Sequence, residues 1–266
     1  ECSISGRPGP VWLDIPADIQ NAKIDPKKLN KYKSTPIKKK NNIIDSKIRK
    51  VANLFNKFNR PIIHFGHGVR ISESEKLAKK IINRHNIPFA LTWNASDLIE
   101  SSNKNYIGRP GAFAERGSNF IIQNCNLYIS IGTRLPFMVT GYNSKDFARK
   151  AYKVMVDIDN KELKNTNTKI DLKVNCDAKY FLKKLNEYLS KNIKIQNEWR
   201  VYCKAIRKKY PILTPEFKNQ KKYVNSYYFI NELSKILKEK DVIVTDMGLS
   251  FVGTHQGFKI KSGQRL

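Results

Sequence analysis

The residues best equipped for chemistry sit at the ends of short apolar runs. Gly66-His-Gly68 follows Pro61-Ile-Ile-His-Phe65 and precedes a helical pattern. Glycine there lets a backbone approach a phosphate, and a following helix N-terminus favours an anion. A Gly-x-Gly pair without the rest of a dinucleotide fingerprint equally describes a tight turn with no ligand. Arg134 follows Gly132-Thr133, where a guanidinium can grip a phosphate with two prongs or form a surface ion pair. Asp157 and Asp159 close the run Val154-Met-Val-Asp-Ile158. Asp159 reads as a helix cap, because Asn160-Lys-Glu-Leu163 follows. Asp157 is the better candidate to accept hydrogen bonds from a ribose. His64 and His67 lie three apart, but His64 falls inside a strand and no carboxylate or cysteine stands at ligand spacing, so a metal pair is not expected. The sequence shows no Ser-His-Asp order, nucleophile elbow, Walker lysine or His-Glu-x-x-His.

Those candidates need a scaffold. Ile48, Val51, Ala52, Phe55 and Phe58 recur at helical spacing from Ser46 onward. Strands are expected at 61–66, 88–92, 127–132, 154–158 and 172–174. Ser72-Glu-Ser-Glu75 reads as a capping box opening a helix with Leu77, Ile81 and Ile82 inward. Asp177 is placed to cap a helix carrying Phe181, Leu182 and Leu185. Short apolar strands alternating with amphipathic helices predict an α/β fold: a Rossmann-like parallel sheet, covered on both faces, with partial α/β units on either side. Before it, Val11–Ile15 reads as a short strand and 21–45 as a lysine-rich linker. After it, Trp199–Tyr210 reads as a connecting helix. Phe229, Ile230, Leu233, Ile236 and Leu237 read as the inner face of another helix. Asp241-Val-Ile-Val-Thr-Asp246 reads as a strand with Gly248 in the turn beyond.

The formal charge is +27, with the excess mostly lysine spread along the chain. Heavy use of asparagine and isoleucine beside it fits codon bias, so the charge reads as solvated surface, with an acidic partner's docking face as the rival and no nucleic-acid partner expected. No run approaches the ~18 apolar residues of a membrane span, so no membrane partner is expected. The four cysteines form no Cys-x-x-Cys pair, which suits a reducing cytoplasm.

Several phrases together resemble the acetolactate synthase branch of the thiamine-diphosphate-dependent enzymes. They are Gly6-Arg-Pro-Gly-Pro-Val-Trp-Leu-Asp-Ile-Pro16, Arg60-Pro-Ile-Ile-His-Phe-Gly-His-Gly68, Gly132-Thr-Arg134 with Val139-Thr-Gly141, Val156-Asp-Ile-Asp159 and Asp241-Val-Ile-Val-Thr-Asp-Met-Gly248. The resemblance implies the end of a pyrimidine-binding domain over 1–20, a linker over 21–45 and a central domain over 46–190. A connecting helix and the start of a diphosphate-binding domain would fill 191–266. It further implies a three-domain enzyme, a homodimer or tetramer, that uses thiamine diphosphate and Mg²⁺ to decarboxylate a 2-oxo acid. The product is then protonated or joined to a second carbonyl compound. Gly248, Leu249 and Ser250 would lie near the diphosphate. The activating glutamate and the Gly-Asp-Gly…Asn magnesium motif would lie beyond Glu1 and Leu266, which makes this chain inactive by itself. FAD could sit in the central domain, against Gly108-Arg-Pro-Gly111 and Gly132-Thr-Arg134. However, the family's Phe-Asp-Asp-Arg run is here Leu135-Pro-Phe-Met138, without its charged groups. His255-Gln256 stands several residues past the turn where the family has its His-Gln. The rival readings are a non-catalytic FAD- or NAD-binding module and a basic nucleic-acid binder.

Overall fold

The computed structural model describes residues 3–33, 42–190, 193 and 195–266. The chain divides into two units, Glu1–Asn42 and Ile43–Leu266. In the first, a short helix α1 (Ala17–Gln20) follows an irregular segment, and Asp25 caps a single 3₁₀ turn over Pro26–Lys28 by accepting from the Lys27 amide. Val11–Ile15, expected as a strand, has no ladder partner there, and Trp12 and Leu13 stand exposed. Residues 34–41 of the expected linker, with Pro36 and Lys38–Lys40, lie outside the described residues.

The second unit is built on six parallel strands: β1 (Pro61–Phe65), β2 (Phe89–Leu91), β3 (Tyr106–Gly108), β4 (Leu127–Ile131), β5 (Tyr152–Asp157) and β6 (Leu172–Asn175). Their order in the sheet is β3-β2-β1-β4-β5-β6. The helices are α2 (Asn42–Lys57), α3 (Gly68–Ile71), α4 (Glu75–His85), α5 (Arg116–Asn124), α6 (Phe137–Thr140), α7 (Asn160–Asn165), α8 (Ala178–Tyr188), α9 (Asn197–Lys209), α10 (Pro215–Lys218), α11 (Ser226–Ile236) and α12 (Leu249–Gly257). The parallel α/β sheet expected from the alternation is the sheet found.

Successive strand residues face opposite ways, so each strand feeds two cores. Ile63, Phe65, Ile129, Ile131, Val154 and Val156 meet α2, α4 and α8 on one face. Ile62, Tyr128 and Met155 meet α5 and α9 on the other. In α2, Ile48, Val51, Ala52 and Phe55 make the buried stripe, at the spacing the sequence shows. Fully burying a side chain such as Phe55 or Phe181 contributes roughly 1.5–3 kcal/mol. The α9 helix closes the second face with Trp199, whose indole N–H donates to the Pro61 carbonyl at 3.1 Å.

Four local expectations need correction. The edge strand β3 and helix α5 carry too little periodic pattern to be read, and both are present. The Ser72–Glu75 capping box does not form: both serine hydroxyls bond back to the Val69 carbonyl, and Ser74 stands at the N-cap with no side-chain cap bond. Asp241–Asp246 is not a strand, because one bridge, Val242 to Arg265, gives it no ladder, and Val244 is 90% exposed. On α11 the buried residues are Ile230, Asn231 and Ser234, while Phe229 and Ile236 face outward. Ile230 turns the helix this way because it seats against Gly253 and Gly257 of α12.

Candidate functional site

In an open parallel sheet a ligand sits beyond the strand C-termini, where the strand order reverses. That point lies here between β1 and β4. Gly66 and Gly68 leave β1 and Gly132 leaves β4, and the two turns meet backbone to backbone. The Gly66 amide donates to Ile131 O at 2.9 Å and the Gly68 amide to Gly132 O at 3.2 Å. A Cβ at Gly68 would stand 2.8 Å from the Gly132 Cα. Gly132, at φ 61°, needs the left-handed region that glycine enters without strain. At this junction these glycines serve chain-to-chain contact.

The same turn collects the other candidates. Arg134 pairs with Glu162 through Nη2 and Oε1 at 2.7 Å, the surface ion pair among its two readings. Asp157, at the end of the neighbouring β5, is buried, and its Oδ1 accepts the Asp159 amide at 2.9 Å. Asp159 caps α7 through the Lys161 amide, as its position suggested. Gly111 comes in from β3 and lies against α6: a Cβ there would be 2.2 Å from Met138 O, and the Ala112 amide donates to that oxygen. Gly66, Gly68, Gly111, Arg134 and Asp157 thus converge on one region, around residues 132–141. His64 is held apart from it, in the core, with Nδ1 2.6 Å from the Tyr128 hydroxyl and its pKa lowered by burial to about 3.

Gly248 and Ser250 belong to a different place. Gly248, at φ 80°, precedes α12, and the space where its side chain would be is open. Ser250 donates to Asp246 O and Met247 O, both at 3.0 Å. Phe251 packs on Trp93 after β2, with ring centroids 5.2 Å apart, and His255 joins the same cluster. His255 is buried, its pKa lowered by desolvation, with Nδ1 3.0 Å from Phe251 O. It follows Ser250 by five residues, roughly 8 Å along the helix axis, so the His255-Gln256 pair sits at the far end from the turn.

Two polar residues at this edge have contacts the sequence reading did not foresee: Arg109, named there only within Gly108-Arg-Pro-Gly111, and Asp97, which was not named. Arg109 is 3% exposed and donates through Nη2 to Gln256 O at 3.1 Å, with Nε 3.4 Å from Glu115 Oε1. Asp97 accepts from Arg70 and Arg265, both at 2.8 Å. An arginine between glycine and proline was the visible signal for the first, but the strand that carries it was not legible.

The model of the thiamine pyrophosphate enzyme central domain matches residues 48–185, which hold the whole six-stranded sheet. The chain belongs to this family. It is similar to a probable acetolactate synthase large subunit of Methanocaldococcus jannaschii, 29% identical over 98% of this chain and 45% of the relative. A probable acetolactate synthase large subunit of Methanococcus aeolicus is 27% identical over 98% of the chain and 46% of its own length. The acetolactate synthase isozyme 2 large subunit of Escherichia coli is 27% identical over 78% of the chain. The chain spans somewhat less than half the length of such relatives. In this thiamine pyrophosphate enzyme chain, no group of three or more His, Cys, Asp or Glu among the described residues could hold a metal. No helix among them is long and apolar enough to cross a membrane.

Proposed function

We propose that this chain works within a thiamine-diphosphate-dependent enzyme of the acetolactate synthase type, acting on a 2-oxo acid in a reducing cytoplasm as a homodimer or tetramer. The observation that carries this reading is the family match over 48–185, extended by the acetolactate synthase large subunits that align with 98% of the chain.

The residues of α12 fit a diphosphate. The space at Gly248 is open, and the amides of a helix's first turn point outward without intrahelical partners. The Gly248 and Leu249 backbone and Ser250 would hold the diphosphate, and Mg²⁺ would offset its negative charge. The cofactor would supply the electron sink for loss of CO₂. The chain's own share is position: Trp93 and Arg109 tie α12 to the sheet. Three buried thiols without disulfides, Cys125, Cys176 and Cys203, suit the reducing compartment.

Flavin is not part of this reading. The turns that would receive it meet backbone to backbone at Gly66, Gly68 and Gly132, and again at Gly111 and Met138. Leu135, Pro136, Phe137 and Met138 offer no side-chain hydrogen-bond donor.

The test measures thiamine diphosphate binding with Mg²⁺ by calorimetry, and pyruvate consumption, on the product of the complete reading frame. Saturable binding and turnover are expected, with no turnover from the 266-residue chain alone. A complete product that neither binds the cofactor nor consumes a 2-oxo acid rejects the proposal.

A further inference from the structure

We propose that the cleft flanking α9 binds a multivalent phosphate compound, at a site separate from the β1–β4 turns and from the α12 N-terminus. The cleft consists of two adjoining cavities, of about 410 and 250 Å³, both lined by Tyr106 and Arg207. In the larger, Arg109, Arg207, Lys208 and Lys259 face a single carboxylate, Glu115, which is already paired with Arg109. In the smaller, Lys104, Arg200, Lys204 and Arg207 line the wall with no carboxylate at all. The seven cations of these two cavities face one acid, against 50 to 23 over the whole chain; a third cavity, which shares Arg207 and Lys259 with the larger one, adds Glu100, already paired with Lys79, and Glu239.

The helix itself supports a missing counter-charge. Arg200, Lys204 and Lys208 recur at i, i+4 and i+8 on α9. Like charges at that spacing repel by a few tenths of a kcal/mol per pair. None of the three forms an ion pair with an acid among the described residues. The series spans roughly 12 Å along the axis, the reach of several linked anionic groups and too long for one carboxylate.

Buried groups anchor the wall. Arg207 is fixed by donating Nη1 to Tyr106 O at 2.6 Å, with its guanidinium over the Tyr106 ring. Arg109 keeps Nη1 buried without a hydrogen-bond partner. Arginines held in place present the planar fork that matches phosphate oxygens in pairs. The Tyr106 ring is already covered by Arg207, and Tyr210 packs at a tilt against Phe120, so the ligand is read through its phosphates more than through a base.

The test titrates sodium tripolyphosphate and ATP separately into the full chain by calorimetry, at low and at moderate salt. Saturable 1:1 binding of tripolyphosphate that weakens with salt is expected. ATP equal to tripolyphosphate means the phosphates alone are read; ATP tighter means the nucleoside adds contacts; both support the site. The exposed pair Lys208→Gln with Lys259→Gln is expected to weaken binding at least tenfold. A control pair on the opposite face of the sheet, Lys50→Gln with Lys183→Gln, removes the same charge and is expected to change it less than twofold. No saturable binding, equal weakening in both pairs, or tighter binding of an oligoglutamate peptide than of tripolyphosphate overturns the proposal.

Discussion

Gly66 and Gly132 touch through their backbones: a Cβ on Gly66 would stand 2.2 Å from the Gly132 carbonyl oxygen. The contact joins the ends of β1 and β4 where the sheet reverses its order. Neither strand end can retreat, because each is locked in the ladder by the pairing of Phe65 with Ile131. Gly66→Ala is therefore expected to lower unfolding free energy by about 1–3 kcal/mol, the cost of overpacking. Gly132→Ala adds strain from its positive φ, about 1 kcal/mol. Urea denaturation measures both; a loss below 0.5 kcal/mol in either means the turns part easily.

Asp97 joins the sheet to the chain's last residues. Its carboxylate is buried, accepts from Arg70 and Arg265, and takes the Leu266 amide at 3.3 Å. Removing one partner of a fully buried ion pair costs ~3–5 kcal/mol. Arg265 is half-exposed and can be resolvated, so Asp97→Ala is expected to cost less, about 2–3 kcal/mol. Hydrogen exchange is expected to quicken over 258–266 while β1 and β4 stay protected. Uniform loss of protection would contradict a local clasp.

The His64 imidazole is neutral in the fold, its pKa depressed from 6.5 to about 3 by burial. Below pH 6.5 the unfolded chain binds a proton that the folded chain refuses. Stability from this group is complete above pH 6.5 and is lost as pH falls toward 3. Between pH 6.5 and 5 the loss is about 2 kcal/mol. His85 and His255 are shifted the same way, also by desolvation, and add to the trend. His64→Gln is expected to be less stable at pH 7 but to lose less between pH 6.5 and 5. Parallel pH profiles for variant and parent would sink this assignment.

Burial pushes the thiols of Cys125 and Cys176 up to about 12 and raises that of Cys203. The thiolate is the reactive form. Iodoacetamide at pH 8 is expected to spare all three in the folded chain and to modify them in denaturant. Peptide mapping reads the result, and rapid native labelling at any of the three would contradict the core placement. Cys2 lies outside the described residues.

Much of this molecule could be read from its chain. The stripe Ile48, Val51, Ala52, Phe55 is local arithmetic at helical period, and its burial follows wherever the helix lands. The run Pro61–Phe65 is apolar but for His64 and is buried on both faces, as a covered parallel strand is. Asp159 and Asp177 cap helices through amides two and three residues on, a bond made within one turn. The five family phrases, being contiguous, carried the resemblance.

Contacts between distant segments decided the rest. Three residues of β3 are too few for a period, and the strand exists because β2 offers it a ladder. Asp241–Asp246 has the composition of a strand but only one bridging partner, and an unpaired backbone does not make a sheet. Phe229 and Ile236 look like core residues until Ile230 fits the glycines of α12 and turns them outward. Gly66 and Gly68 read equally as a ligand cradle or as a tight bend, and their backbone contact with Gly132, across 66 residues of chain from Gly66, is a feature only the fold creates. Helical period, alternation and caps are short-range properties that a sequence states outright, whereas close approach and pairing depend on what the folded chain brings alongside.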